Sequence, residues 1–133
     1  MSHAIAITDA SAATFAQPGL VWTLAWPRPH ILVRELIRLR VIAEVEAYNR
    51  DHSGLFTGLV RPTEAEQTLN GFRLAPGRLL DGHHQVETAL DAFTSNGFVL
   101  LVNNRQVDDL DDEIDLTDQP IVTFLKLVQL VGG

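Results

Sequence analysis

Apolar positions along this chain change their spacing twice, and the changes divide it into strand, helix and strand regions. From Ala4 the sequence alternates, with Ile5 and Ile7 on one side. After a Gln17–Pro18–Gly19 turn signal, Trp22, Leu24 and Trp26 again recur at every second position. Period two is the spacing at which a strand turns one face to a core. Two paired strands are therefore predicted, with Trp22, Leu24 and Trp26 packing into the core. Pro27 and Pro29 end the second strand, because proline has no N–H to give a ladder.

Beyond His30 the spacing becomes helical. Val33, Leu36, Ile37, Val41, Val45 and Tyr48 form one stripe, and Arg34, Arg38 and Glu44 stand off it. The β-branched residues lower its intrinsic helix propensity, so this main helix depends on tertiary packing. Asn49 to Gly54 supplies polar and breaker residues to end it. The stretch from Asp51 to Asn96 is too rich in Leu and Phe for a disordered linker and reads as a packing insertion. Thr63–Glu64–Ala65–Glu66 is a Thr-x-x-Glu capping box, which predicts a short helix from Thr63 to about Gly71. A second helix fits His83 to Asn96, with Val86, Leu90 and Phe93 on one face and Gly97 as its stop.

Strand spacing returns at Phe98. Phe98 to Val102 is a continuous apolar run, Asn103–Asn104 is a turn signal, and Glu113 to Leu116 suits a short edge strand whose charges discourage pairing with other chains. Pro120 opens a last strand from Ile121 to about Leu130. Ile121, Thr123, Leu125 and Leu127 form one of its faces, and Val122, Phe124, Val128 and Leu130 form the other. Apolar residues on both faces mark a strand that is central in its sheet. The sequence then reaches Gly132–Gly133.

The chain has 133 residues, enough for a core without metal or disulfide support, and 46% of them are hydrophobic. It contains no cysteine, which excludes disulfide scaffolds and Cys-based zinc modules. No apolar run approaches the ~20 residues of a membrane span, and the N-terminal residues do not suit a signal peptide. A cytoplasmic protein with no membrane partner is expected. The formal charge of −7 is local: Asp108, Asp109, Asp111, Asp112, Glu113, Asp115 and Asp118 form a run without a base, and the remaining ten acids balance ten bases. That balance argues against a nucleic-acid partner, which would require clustered Lys and Arg. The run either solvates an edge or steers encounter with a basic surface. Nine of the ten bases are arginine, and Lys126 is the one lysine.

Strand, strand, helix, insertion, strand, short strand and a central last strand running into Gly-Gly resembles the ubiquitin-like β-grasp family, which includes ubiquitin and the bacterial sulfur carriers of thiamin and molybdopterin synthesis. The resemblance is carried by Phe98–Val107, the acidic segment and Val122–Gly133, and covers roughly residues 4–49 and 98–133. It implies one α+β domain over residues 1–133: a mixed sheet packed on the main helix, a helical insertion at 51–96 between that helix and the third strand, and a tail at 130–133.

The use the family makes of such a tail has a chemical basis. A carboxylate resists nucleophiles until it is activated, for instance as an acyl adenylate formed with ATP. Gly133 would carry the reacting carbonyl. Gly132 would give clearance in a narrow channel, having no Cβ. Leu130 and Val131 would form the stem that a partner groove grips. The resemblance thus implies that the chain is no enzyme and binds no cofactor, with ATP used by an adenylating partner of the ubiquitin-activating type. Any thioester must use a partner's cysteine. Two products stay open: an amide on a target protein, which makes it a modifier with a possible conjugating enzyme and a removing metallopeptidase, or a thiocarboxylate passed to a sulfur acceptor. With the sequence ending at Gly133, no peptidase is needed to expose the tail. The insertion exceeds the small sulfur carriers and puts the modifier ahead, although Leu-Val-Gly-Gly lacks the arginine that precedes Gly-Gly in ubiquitin. With one lysine, in a strand, lysine-linked chains are not expected. A non-covalent binding module with an inert tail is the alternative from another class, and a subunit of a larger enzyme is a third.

Other constellations weigh less. Asp108, Asp109, Asp111, Asp112 and Glu113 form a candidate docking patch but lack the glycine-centred spacing of a calcium loop. Asp81–Gly82–His83–His84 has adjacent histidines that point apart and no third ligand at suitable spacing, so no metal is predicted. No sequence spacing suggests a catalytic triad, and no Gly-rich phosphate loop is present.

Overall fold

A computed structural model describes residues 2–11, 21–51, 54–63, 65–68 and 71–127. The protein is α+β. Its elements in chain order are β1 (His3–Ser11), β2 (Val21–Trp26), β3 (His30–Leu32), α1 (Val33–Asp51), β4 (Leu55–Phe56), β5 (Glu66–Thr68), β6 (Gly71–Arg73), α2 (Gly82–Thr94), β7 (Phe98–Val102), β8 (Arg105–Val107), β9 (Glu113–Asp115) and β10 (Ile121–Lys126). They fall into two compact units, Met1–Leu36 with Ala92–Gly133, and Ile37–Asp91.

The first unit holds a five-stranded mixed sheet in the order β2-β1-β10-β7-β8. β1 and β2 pair as a hairpin, with Ile5 opposite Leu24 and Ile7 opposite Trp22. β10 lies between β1, to which it is parallel with Ile7 opposite Val122, and β7, to which it is antiparallel with Phe124 opposite Leu100. The last strand is thus central, as its composition predicts. Alternation puts Ile5, Ile7, Val122, Phe124, Phe98 and Leu100 on one face, and all six are buried. Phe93, Phe98 and Phe124 continue that core as an aromatic chain with ring centroids 5.8 and 5.9 Å apart.

The other face of β10 is only partly covered. Ile121 is 53% exposed and Leu127 43% exposed, and Leu125, Leu101 and Val99 are half-buried. Apolar composition on both faces shows that a strand tolerates burial; only a covering element produces it. Trp22, Leu24 and Trp26 differ from the core packing predicted for them. They share the face of Ile5 and Ile7 but are half-buried, because β2 ends the sheet and has a neighbouring strand on one side only.

Asn103 (φ 49°) and Asn104 (φ 68°) make the β7–β8 turn. Positive φ at both central residues is the hairpin turn that suits the twist of the flanking strands, and asparagine tolerates it. The Asn103 N–H donates to Ile121 O at 2.9 Å and its side-chain oxygen accepts from Ile121 N–H at 3.0 Å, joining the turn to the start of β10. β3 and β9 form a separate two-stranded ladder with buried Ile31 opposite buried Ile114.

The stripe of α1 (Val33, Leu36, Ile37, Val41, Val45, Tyr48) is buried throughout, as its spacing predicts. α2 ends in a Schellman motif: Gly97 N–H bonds Ala92 O at 2.7 Å, and Asn96 N–H bonds Phe93 O at 3.2 Å. The left-handed residue there is Asn96 (φ 61°), one position before the glycine that sequence reasoning chose as the stop.

The second unit corrects the expectation of a helix from Thr63 to Gly71. That stretch contributes β5 and the first residue of β6, in a three-stranded sheet of order β4-β6-β5. Phe72 pairs with Phe56 on one side and Gln67 on the other. A capping box favours a helix start but adds nothing beyond the first turn, and a nine-residue helix is marginal in water without a buried stripe. Here Ala65 instead joins a small core with Tyr48, Phe56 and Leu74, and Phe72 and Leu80 pack against it. The Tyr48 and Phe56 rings meet edge to face at 5.7 Å. Gly71 (φ +146°) lies so close to β4 that a Cβ would stand 2.7 Å from Phe56 O, which commits the position to glycine.

Buried polar groups in this unit are paired. Arg40 and Glu44 form an ion pair at 3.3 Å, and Glu44 also accepts Leu59 N–H at 3.2 Å. The Asn49 side chain bonds both backbone groups of Leu80, donating to its oxygen at 3.0 Å and accepting its N–H at 2.9 Å. Asn49→Ala should therefore cost about 1–3 kcal/mol, because both Leu80 groups lose their partner. Urea unfolding measures it, and a change within error would show that water replaces the amide.

Candidate functional site

The residues that sequence reasoning singled out for chemistry, Leu130, Val131, Gly132 and Gly133, lie outside the described residues. The structure does describe where the chain leaves the sheet. β10 runs parallel to β1, so its last residue, Lys126, stands beside Ser11 at the C-terminal end of β1 and opposite Phe98 at the start of β7.

The acidic segment is tied to the start of α1. The first N–H groups of a helix have no partner within it. Here Val33 N–H donates to Asp112 O at 2.9 Å and Arg34 N–H to Leu110 O at 3.0 Å. Glu35 reaches back to accept Leu32 N–H at 3.0 Å, the reciprocal half of a capping box with apolar Leu32 at the cap. The Arg34 guanidinium holds Asp111 Oδ1 through Nη2 at 2.7 Å and Nε at 2.9 Å. Asp109 Oδ1 accepts Asp111 N–H at 2.8 Å and shapes the turn. Negative charge is also favoured beside the positive end of a helix dipole.

This divides the predicted patch. Asp109 and Asp111 are engaged, whereas no side-chain bond holds Asp108, Asp112 or Glu113 among the described residues; Asp108 and Glu113 are exposed and Asp112 is half-buried. Glu113 lines a surface groove of about 300 Å³ with Arg28, Pro29, His30, Leu32 and Glu35. Arg28 is already committed there: it lies 5.0 Å from the Trp26 ring centroid and 3.0 Å from Glu35 Oε2. Trp26 Nε1–H in turn donates to His30 O at 3.0 Å. The charge left uncompensated at this groove is that of Glu113.

Sequence reasoning missed Arg28, Glu35 and this role of Trp26. Arg28 and Glu35 are seven residues apart across a proline, which no periodic signal marks, and an apolar cap residue hides the capping box.

Asp81, His83 and His84 sit at the start of α2. Asp81 caps it, accepting His83 N–H at 3.1 Å; His83 pairs with Glu87 at 3.0 Å, and His84 meets the Thr63 hydroxyl at 2.6 Å. Among the described residues no group of three or more His, Asp or Glu side chains is placed to hold a metal. No helix among them is long and apolar enough to cross a membrane.

No family model, curated protein or solved structure matches the chain.

Asp115, two residues beyond Glu113, has its carboxyl held below the ordinary carboxylate value. The Thr117 hydroxyl donates to it at 2.6 Å and the Thr117 N–H at 2.9 Å, with smaller help from His30 and His3. A carboxylate depressed in the folded state stabilises the fold above its unfolded pKa, and that contribution disappears as pH falls through the folded value. Thr117→Val removes the hydroxyl donor and should move the Asp115 midpoint upward in a carboxyl NMR titration. An unmoved midpoint would assign the depression to the backbone donor instead.

Proposed function

We propose that this chain is a ubiquitin-like β-grasp modifier, activated at the carboxyl of Gly133 by an ATP-dependent adenylating enzyme and transferred to target amines. The observation that carries the reading is the strand order. The opening hairpin and the closing strand share one mixed sheet, the last strand is central and parallel to the first, and α1 comes after the hairpin in the chain. This order supports the resemblance of residues 4–49 and 98–133 to that family.

The chemistry starts from the carboxylate. Its oxygen attacks the α-phosphorus of ATP, pyrophosphate leaves, and the acyl adenylate becomes electrophilic. A partner's thiolate displaces AMP to give a thioester, since this chain has no cysteine. A deprotonated target amine then attacks the carbonyl, an amide forms, the thiolate leaves, and the amine's second proton passes to a base or to water. The unbonded acids Asp108, Asp112 and Glu113 supply negative charge for a basic surface on the activating partner.

Incubation with ATP and the cognate activating enzyme tests the reading by intact mass. One adenylate gained, followed by attachment to a target, supports it. Exchange of oxygen for sulfur in the presence of sulfide would make the chain a sulfur carrier, and no mass change with an active partner would leave it a non-covalent module. Deletion of Gly133 should abolish transfer with the fold intact. Raising salt should slow association with the activating enzyme, because exposed charges more than ~8–10 Å apart are screened at physiological ionic strength. A salt-insensitive on-rate would remove the acidic segment from recognition.

A further inference from the structure

Resting on that reading, we infer that copies of the modifier are not joined to one another through a side-chain amine, because none of its side chains is placed to accept a second copy. An acceptor must offer an amine that can lose its proton and attack an acyl carbonyl. Arginine cannot, since its guanidinium stays protonated and spreads its charge over three nitrogens. Among the described residues every exposed cationic side chain is arginine: Arg28, Arg34, Arg38, Arg50, Arg61, Arg73, Arg78 and Arg105. The surface thus carries positive charge without an exposed lysine amine among the described residues.

Lys126, the one lysine in these 133 residues, is placed where attack is hindered. It is in the central strand, flanked by Ser11 of β1 and Phe98 of β7. Strand alternation puts it on the face of buried Val122 and Phe124, and its side chain is half-buried. To join a second copy, the Lys126 Nζ lone pair would have to form a bond to a Gly133 carbonyl. The AMP or thiolate would leave and the amine proton would pass to a base. That requires a partner enzyme to bring its loaded acyl group to the core-facing side of an intact sheet.

Conjugation of the full chain, with ATP, its activating enzyme and a lysine-bearing target, tests this by peptide mapping. Cleavage after Lys126 leaves residues 127–133 on each acceptor amine as a mass tag. The tag is expected on target lysines and not on Lys126, and Lys126→Arg should leave the conjugate pattern unchanged. Arg105→Lys places a lysine in the exposed edge strand β8 and should add a second-copy species tagged at position 105. A tag on Lys126, or loss of multiple-copy species in Lys126→Arg, overturns the inference while leaving the modifier reading intact. A single-copy pattern persisting in Arg105→Lys overturns the claim that acceptor accessibility sets the limit. No conjugate from the unaltered chain overturns the modifier reading, and this inference with it.

Discussion

The parallel pairing of β1 with β10 is the constraint on which the rest of the first unit depends. Antiparallel neighbours are joined by a short turn, but parallel neighbours need the chain to leave the sheet and return to the same end. Here the two strands come from residues 3–11 and 121–126, so almost the whole chain lies in the connection between them. Closing so long a loop costs conformational entropy, although the cost rises only logarithmically with length. The burial of Ile5, Ile7, Val122 and Phe124 on one face, together with the ladder itself, offsets it. Because the cost grows slowly, the connection tolerates a second compact unit of about the size of residues 37–91.

The acidic segment shows one stretch serving two purposes. Its carbonyls complete the first turn of α1, and Arg34 and Asp111 clamp it there through an exposed pair that by itself contributes under ~1 kcal/mol. Backbone bonding therefore holds the segment, which leaves side chains such as Glu113 free to present charge. A run of acids that looks like plain solubility in a linear sequence becomes a fixed array, attached to the N-terminus of α1, where the helix dipole favours negative charge.

Much of this architecture was legible from local pattern. The period-two residues of β1 and β2, the helical stripe of α1, the Asn103–Asn104 turn and the central place of β10 all derive from side-chain alternation or backbone preference, which are properties of the chain itself. Where the reading failed over Thr63 to Gly71, the deciding partner was distant in sequence. Thr63 to Gly71 carries a helix signal, but Phe72 pairs with Phe56 and joins Tyr48 and Leu74, and that small core selects strands. Asn96 and Gly97 both suit a left-handed turn, and the register of the last bonds of α2 gave that conformation to Asn96.

By itself the sequence determined the period of each strong element, the places where the chain must turn, the position of the acidic run and the near-absence of nucleophilic amines, because each is written in adjacent residues. The tertiary structure alone decided which apolar faces are covered, leaving Ile121 and Leu127 open on a strand apolar on both sides. It also decided which acids are bonded and which are unbonded, and that Arg28 is held between Trp26 and Glu35. These outcomes depend on what stands opposite a side chain in space, and a residue's own neighbours in sequence carry no information about that.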